Sequence, residues 1–212
     1  IHSFGQDARE FLDQAREDIR EYINADDPTE IIFTSGGTES DNLAIMGAVK
    51  ASKTQKPHVI TTLVEHKAVL DMVKYLEKNE WVEVTYLKVN RFGEVDLADL
   101  QRAICYNTIL VSVMYANNEV GTIQPIREIG KYLEKLNKER ERAGFPKIYF
   151  HTDAVQAFPY LNVDVKHLHV DMMSVSGHKF YGPKGIGFLY IKKGTLVEKI
   201  AHGGSQEFGR RA

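Results

Sequence analysis

The sequence holds one cysteine, Cys105, in 212 residues. A single thiol excludes an internal disulfide and any metal site built on a cysteine cluster. It is consistent with a reducing compartment, so a cytoplasmic location is expected. No apolar run is long enough to span a bilayer, and no membrane partner is expected. No basic, apolar, small-residue leader opens the chain, so secretion is not expected. The formal net charge is only -2, which argues against nucleic-acid binding through bulk charge. No internal repeat and no low-complexity linker interrupts the sequence. What remains is ordinary in composition, with 43% hydrophobic and 26% charged residues. That balance and length suit a globular protein with one sizeable core, or a domain and a part.

Helical and strand periodicities alternate along the chain. Gln6 to Asn24 carries Phe11, Leu12, Ala15, Ile19 and Ile23 on one helical stripe, ended by Asp26-Asp27-Pro28. Strands are expected at Glu30–Thr34, His58–Leu63, Val82–Leu87, Thr108–Met114, Lys147–His151, Val170–Val175 and Phe188–Ile191. Helices are expected at Asn42–Ala51, His66–Leu76, Asp96–Ile104 and Pro125–Ala143. Several strands are continuously apolar, which means both faces are covered. The pattern predicts an α/β fold with a mainly parallel sheet and helices on both faces.

In such sheets ligands gather at the carboxyl ends of the strands. The chemically suggestive residues fall there: Gly36-Gly37-Thr38, Glu65-His66, Asn117-Asn118-Glu119, Asp153 with Gln156, and Ser176 with His178-Lys179. Gly36-Gly37-Thr38 has the makings of a phosphate cup, because glycines admit an anion to backbone amides at a helix start. The plainer reading is a strand–helix turn capped by Thr38. Asp153 can hold a proton on a heteroaromatic nitrogen, or it can simply cap the next turn. His66 can stack on a ring or move protons, or it is a first-turn helix histidine without a role. Asn117 and Asn118 with Gly121 can be a turn. Lys179 sits on a turn between two strands, where loss of water is expected to favour the uncharged, nucleophilic amine. A solvated hairpin lysine is the bland alternative.

Together these groups are the equipment for pyridoxal phosphate: a phosphate cup, a carboxylate, an imidazole, hydroxyl and amide donors, and one lysine. With the motifs in view, the sequence resembles a family. Phe33-Thr34-Ser35-Gly36-Gly37-Thr38-Glu39-Ser40-Asp41-Asn42, Glu65-His66-Lys67-Ala68-Val69-Leu70, Asn117-Asn118-Glu119-Val120-Gly121-Thr122, His151-Thr152-Asp153-Ala154-Val155-Gln156 and Ser176-Gly177-His178-Lys179-Phe180-Tyr181-Gly182-Pro183-Lys184-Gly185 are similar to cysteine desulfurases. The branch is that of iron–sulfur cluster assembly and nitrogen fixation, within the class V aminotransferase group. The likeness runs from Ser3 to Arg211. The segment Leu136–Pro146 also resembles selenocysteine lyases.

The resemblance implies the large domain of a fold-type I pyridoxal-phosphate enzyme, with a seven-stranded, mainly parallel sheet. It implies that Lys179 carries the cofactor as a Schiff base and that Asp153 pairs with the ring nitrogen. Gln156 would reach the ring oxygen, and His66 would stack on the ring and assist proton transfer. Gly37, Thr38, Ser176 and His178 would bind the phosphate, and Asn117 would contact the cofactor or substrate. It further implies L-cysteine as substrate, L-alanine and a protein persulfide as products, a homodimeric parent and a sulfur-acceptor or scaffold partner. Selenocysteine lyase, or a non-catalytic cofactor-binding or scaffold protein, are the alternatives. The whole stretch 1–212 is expected to be the cofactor-binding large domain. The parent's N-terminal segment and small C-terminal domain are expected outside it. The family's catalytic cysteine is expected beyond Ala212, so Cys105 is not assigned that role, and this chain alone is expected to be inactive. Ser205 and Phe208 stand where the family usually has glycine and arginine.

Overall fold

In the computed structural model, which describes residues 2–211, every expected strand is present. The elements run α1 (Ser3–Tyr22), β1 (Ile31–Thr34), α2 (Gly37–Ala51), β2 (His58–Thr62), α3 (Lys67–Lys78), β3 (Glu83–Leu87), α4 (Leu97–Ala103), β4 (Thr108–Ser112), α5 (Ile126–Arg142), β5 (Tyr149–Asp153), α6 (Val165–Leu168), β6 (Met172–Ser176) and β7 (Gly187–Ile191). They form one seven-stranded sheet in the order β1-β7-β6-β5-β4-β2-β3. β7 is antiparallel to both of its neighbours, and the remaining pairs are parallel. The fold is therefore the expected mainly parallel α/β sheet.

Consecutive residues of a strand point to opposite faces. Ile60, Val111, Phe150, Met173 and Phe188 pack under α4, α5 and α6. Their neighbours Val59, Leu110, Met172 and Leu189 pack under α2 and α3. Both faces being covered is what makes the strands read as unbroken apolar runs. Each such side chain, fully buried, contributes about 1.5–3 kcal/mol.

Two boundaries differ from the expectation in ways that matter. The helix expected from Asn42 begins five residues earlier, at Gly37, directly behind β1. Gly36, at φ 147°, takes a backbone conformation closed to other residues. A Cβ on Gly37 would lie 2.8 Å from Val155 Cγ2. The glycines thus let the start of α2 close against the end of β5. The second difference is at α1. The stripe of Phe11 and Leu12 does not reach the core: Phe11 is 78% exposed and Phe4 81%. The carboxyl half of the stripe does reach the core, through Ile19 and fully buried Ile23. Buried Arg16 adds a two-pronged ion pair with Glu207 and lies over the rings of Phe33 and Phe208.

Candidate functional site

The carboxyl ends of β1, β2, β4, β5 and β6 open into one cleft of about 210 Å³. Gly37, Thr38, His66, Asp153, Gln156, Ser176, His178 and Lys179 all line it. Asn117 does not. Its side-chain amide donates to Val64 O at 2.9 Å, and its oxygen accepts from the amides of Glu119 and Val120. The side chain is spent on holding the loop, and neighbouring Asn118 faces the cleft instead.

At one end of the cleft α2 starts without a side-chain cap. Thr38 is the second residue of the helix, so it does not act as the cap. The first-turn amides are left facing the cleft with the positive end of the helix dipole. Ser176 ends β6 beside them, and its Oγ lies 2.9 Å from His178 Nδ1. A short 3-10 turn, Gly177–Phe180, then carries His178 and Lys179. Both side chains are exposed. The loss of water expected at Lys179 is therefore not seen, because the turn presents the lysine at the cleft mouth with no side chain packed over it.

At the other end Asp153 closes β5. Its Oδ1 accepts the Val155 amide at 2.9 Å, so it does cap the following turn while it lines the cleft. Burial pushes this carboxyl up from its ordinary range, and the Val155 amide and nearby His66 pull it back down. His66 caps α3 through Nδ1, which accepts the Ala68 amide at 3.1 Å. In the neutral ring the proton then sits on Nε2, free of the helix.

Three buried titratable residues lie at or behind the cleft: Glu65, already marked by its strand-end position, and Asp41 and His151, which were not singled out from the sequence. Asp41 lies at 1% exposure with an unpartnered Oδ1. Glu65 Oε1 accepts from Thr62 Oγ1 and from the Met114 amide, while buried Oε2 has no partner. His151 is fully buried between two serine hydroxyls. A helical signal for Asp41 exists, since it shares a face with buried Ala44, Ile45 and Ala48.

Burial drives Glu65 up to about 8 and His151 down to about 3. The two act on stability with opposite signs. Glu65 stabilises fully below its unfolded value of 4.5 and loses that contribution as pH rises to about 8. His151 stabilises above 6.5 and loses its contribution as pH falls toward 3. Between 6.5 and 8 the histidine no longer contributes a slope. The cofactor-free protein is therefore expected to lose stability across that window, by up to about 2 kcal/mol from Glu65. Glu65→Gln is expected to flatten the fall in denaturant midpoint. An unchanged slope in Glu65→Gln would count against a protonated, buried Glu65.

Cys105 lies elsewhere. It precedes β4, at the amino ends of the parallel strands, a strand length of about 17 Å or more from the cleft. Its thiol donates to Asn107 Oδ1 at 3.0 Å and lies 3.2 Å from His58 Nδ1. Among the described residues no group of three or more His, Cys, Asp or Glu is placed to hold a metal ion. No described helix is long and apolar enough to cross a membrane.

Residues 1–208 match the family model described as aminotransferase class-V. A cysteine desulfurase IscS of Dictyoglomus turgidum is 52% identical over 212 residues, which are 100% of this chain and 51% of that protein. Two solved structures share the fold over 100% of this chain. "SspA in complex with cysteine" has a TM-score of 0.89 at 40% identity, with 58% of that chain covered. A "NifS-like protein" has a TM-score of 0.91 at 39% identity, with 55% covered. The chain spans about half the length of the curated relatives it matches.

Proposed function

Because this chain belongs to the aminotransferase class-V family, we propose that residues 1–212 are the cofactor-binding large domain of a pyridoxal-phosphate-dependent cysteine desulfurase. The observation that carries this reading is one cleft shared by three groups: a buried carboxylate, an uncapped helix start and a lysine on a turn. The residues fit the cofactor at both of its charged ends. Asp153 keeps one oxygen free of any partner among the described residues, and a protonated ring nitrogen would satisfy it. The start of α2, which has no side-chain cap and lies beside Ser176, suits a phosphate on its amides.

Each side chain then has a task. Thr38, Ser176 and His178 with the Gly37 amide would bind the phosphate. Asp153 would hold the proton on the ring nitrogen, and Gln156 would donate to the ring oxygen. His66, with Nε2–H facing the cleft, would lie against the ring and hold or pass a proton. Lys179 would hold the cofactor covalently and, displaced by the substrate's amine, would carry a proton at Nζ. When bound, pyridoxal phosphate supplies an electron sink for the pair released at the amino acid's α-carbon.

L-cysteine is the proposed substrate, with L-alanine as product and sulfur passed to a protein thiol for iron–sulfur cluster or related assembly. The relatives named cysteine desulfurase support this, as does the solved relative in complex with cysteine. A homodimeric parent, a sulfur-acceptor or scaffold partner and a cytoplasmic location belong to the same proposal. Exposed Phe4, Phe11 and Leu12 on α1 are apolar surface that further protein would cover.

The sulfur-accepting thiol is proposed to lie outside these residues, since Cys105 is at the wrong end of the sheet and donates to Asn107. The full-length protein, given pyridoxal phosphate, L-cysteine and a reductant, is expected to release sulfide and alanine in equal amounts. Cys105→Ser is expected to leave both yields within about twofold, because the half-buried residue sits at the far end of the sheet and a serine hydroxyl can still donate to Asn107. A tenfold loss in Cys105→Ser would overturn the assignment of the thiol, and absence of alanine from the wild type would overturn the proposed activity.

A further inference from the structure

A row of polar side chains runs through the core beneath α2 and ends at the cleft. Ser112 on β4, His151 on β5 and Ser174 on β6 are all fully buried. Ser112 Oγ lies 2.8 Å from His151 Nδ1, and His151 Nε2 lies 2.9 Å from Ser174 Oγ. The row ends at Asp41 of α2, whose Oδ1 is 3.6 Å from His151 Nε2 and which Ser174 also faces. Burial keeps His151 neutral, so it supplies no positive charge to Asp41. Asp41 lines the cleft together with Asp153.

The surroundings of the two carboxyls differ. Asp153 receives the Val155 amide and faces His66, both of which favour its charged form. No backbone amide reaches Asp41, its Oδ1 has no partner, its one donor is the Ser174 hydroxyl, which is shared with His151, and the charged groups facing it are Asp153 and Glu65. Two like charges buried side by side are costly, and the proton settles on the one without a fixed backbone donor or a nearby histidine.

We propose that Asp41 is the protonated partner of Asp153, a positioning residue that touches no reacting atom and fixes the cleft at a single buried negative charge. This rests on the reading of the cleft as a pyridoxal-phosphate site. One buried anion then faces one protonated ring nitrogen. A second ionised carboxyl would repel the cofactor's phosphate and the substrate's carboxylate.

The test uses the full-length, cofactor-loaded protein carrying 13C at its aspartate carboxyls. Near neutral pH, one aspartate carbon is expected to resonate as a protonated acid, and Asp41→Asn is expected to remove that signal. A neutral amide replaces a neutral acid in this variant. Cofactor affinity is therefore expected within about twofold of wild type, and the pH midpoint of the visible band is expected unmoved. Three results would each overturn the proposal: wild-type aspartates that are all carboxylates, a protonated signal that survives Asp41→Asn, or tenfold weaker uptake with a shifted midpoint. If Asp41→Asn does not fold, the wild-type spectrum still decides whether a protonated aspartate exists near neutral pH, and its absence overturns the proposal. If the wild type takes up no cofactor, the reading of the cleft fails instead, and the carbon signal of the cofactor-free protein still tests Asp41.

Discussion

Lys179→Ala is expected to leave pyridoxal phosphate held only by non-covalent contacts, so that it is lost on gel filtration. The reason lies in the turn Gly177–Phe180, which follows β6 and carries the lysine to the cleft that Asp153 and the start of α2 also line. Lys184, the next lysine along, is exposed and does not line the cleft. It has no route to substitute for Lys179 without the loop being rebuilt. Alanine formation is expected to fall by about 10²–10⁴-fold, the range for removing a positioned proton-transfer group. The fold is expected to be unaffected, since an exposed side chain away from the core changes stability by about 0.5 kcal/mol or less. Full retention of the cofactor by Lys179→Ala, with turnover intact, would refute the assignment.

Asp153→Asn is expected to keep the cofactor and slow the chemistry. The amide oxygen can still accept the Val155 N–H, so the turn after β5 survives. What disappears is the charge. A hydrogen bond to a charged group is worth about 1.5–3 kcal/mol, so steps that build negative charge on the ring should slow by about ten- to a hundredfold. Burial already opposes the ionised form of Asp153, so a neutral residue there should not destabilise the protein. The two readouts are alanine formation and thermal unfolding. Alanine formation at the wild-type rate would show that Asp153 does not set the ring's proton. A lower melting temperature would show a structural role.

The seven strands were legible because a covered sheet forces continuous apolar runs such as Thr108–Ser112 and Met172–Ser176. The strand-end motifs were legible for a related reason. Polar residues directly behind such runs have few structural uses there, and the cleft gathers all of the candidates except Asn117. Asn117 shows the limit of a motif, which cannot say whether an amide faces a ligand or its own loop. The early start of α2 was hidden because glycines at 36 and 37 read as a turn, while their real constraint is the approach of Val155 from β5. The stripe of Phe11 and Leu12 read as core-facing because periodicity reports a face and not what covers it. Asp41 and His151 were illegible for a deeper reason. Their chemistry comes from one another and from Ser112 and Ser174, residues brought together by strand pairing that no local window contains.

The central claim is that this cleft holds pyridoxal phosphate through Lys179. The most direct measurement is to load the wild-type protein with the cofactor, reduce it with borohydride and map the modified peptide. A single adduct on Lys179, within the peptide that carries Ser176-Gly177-His178, is the expected result. An adduct on Lys184 or another lysine, or no adduct in protein that has taken up the cofactor, would contradict it.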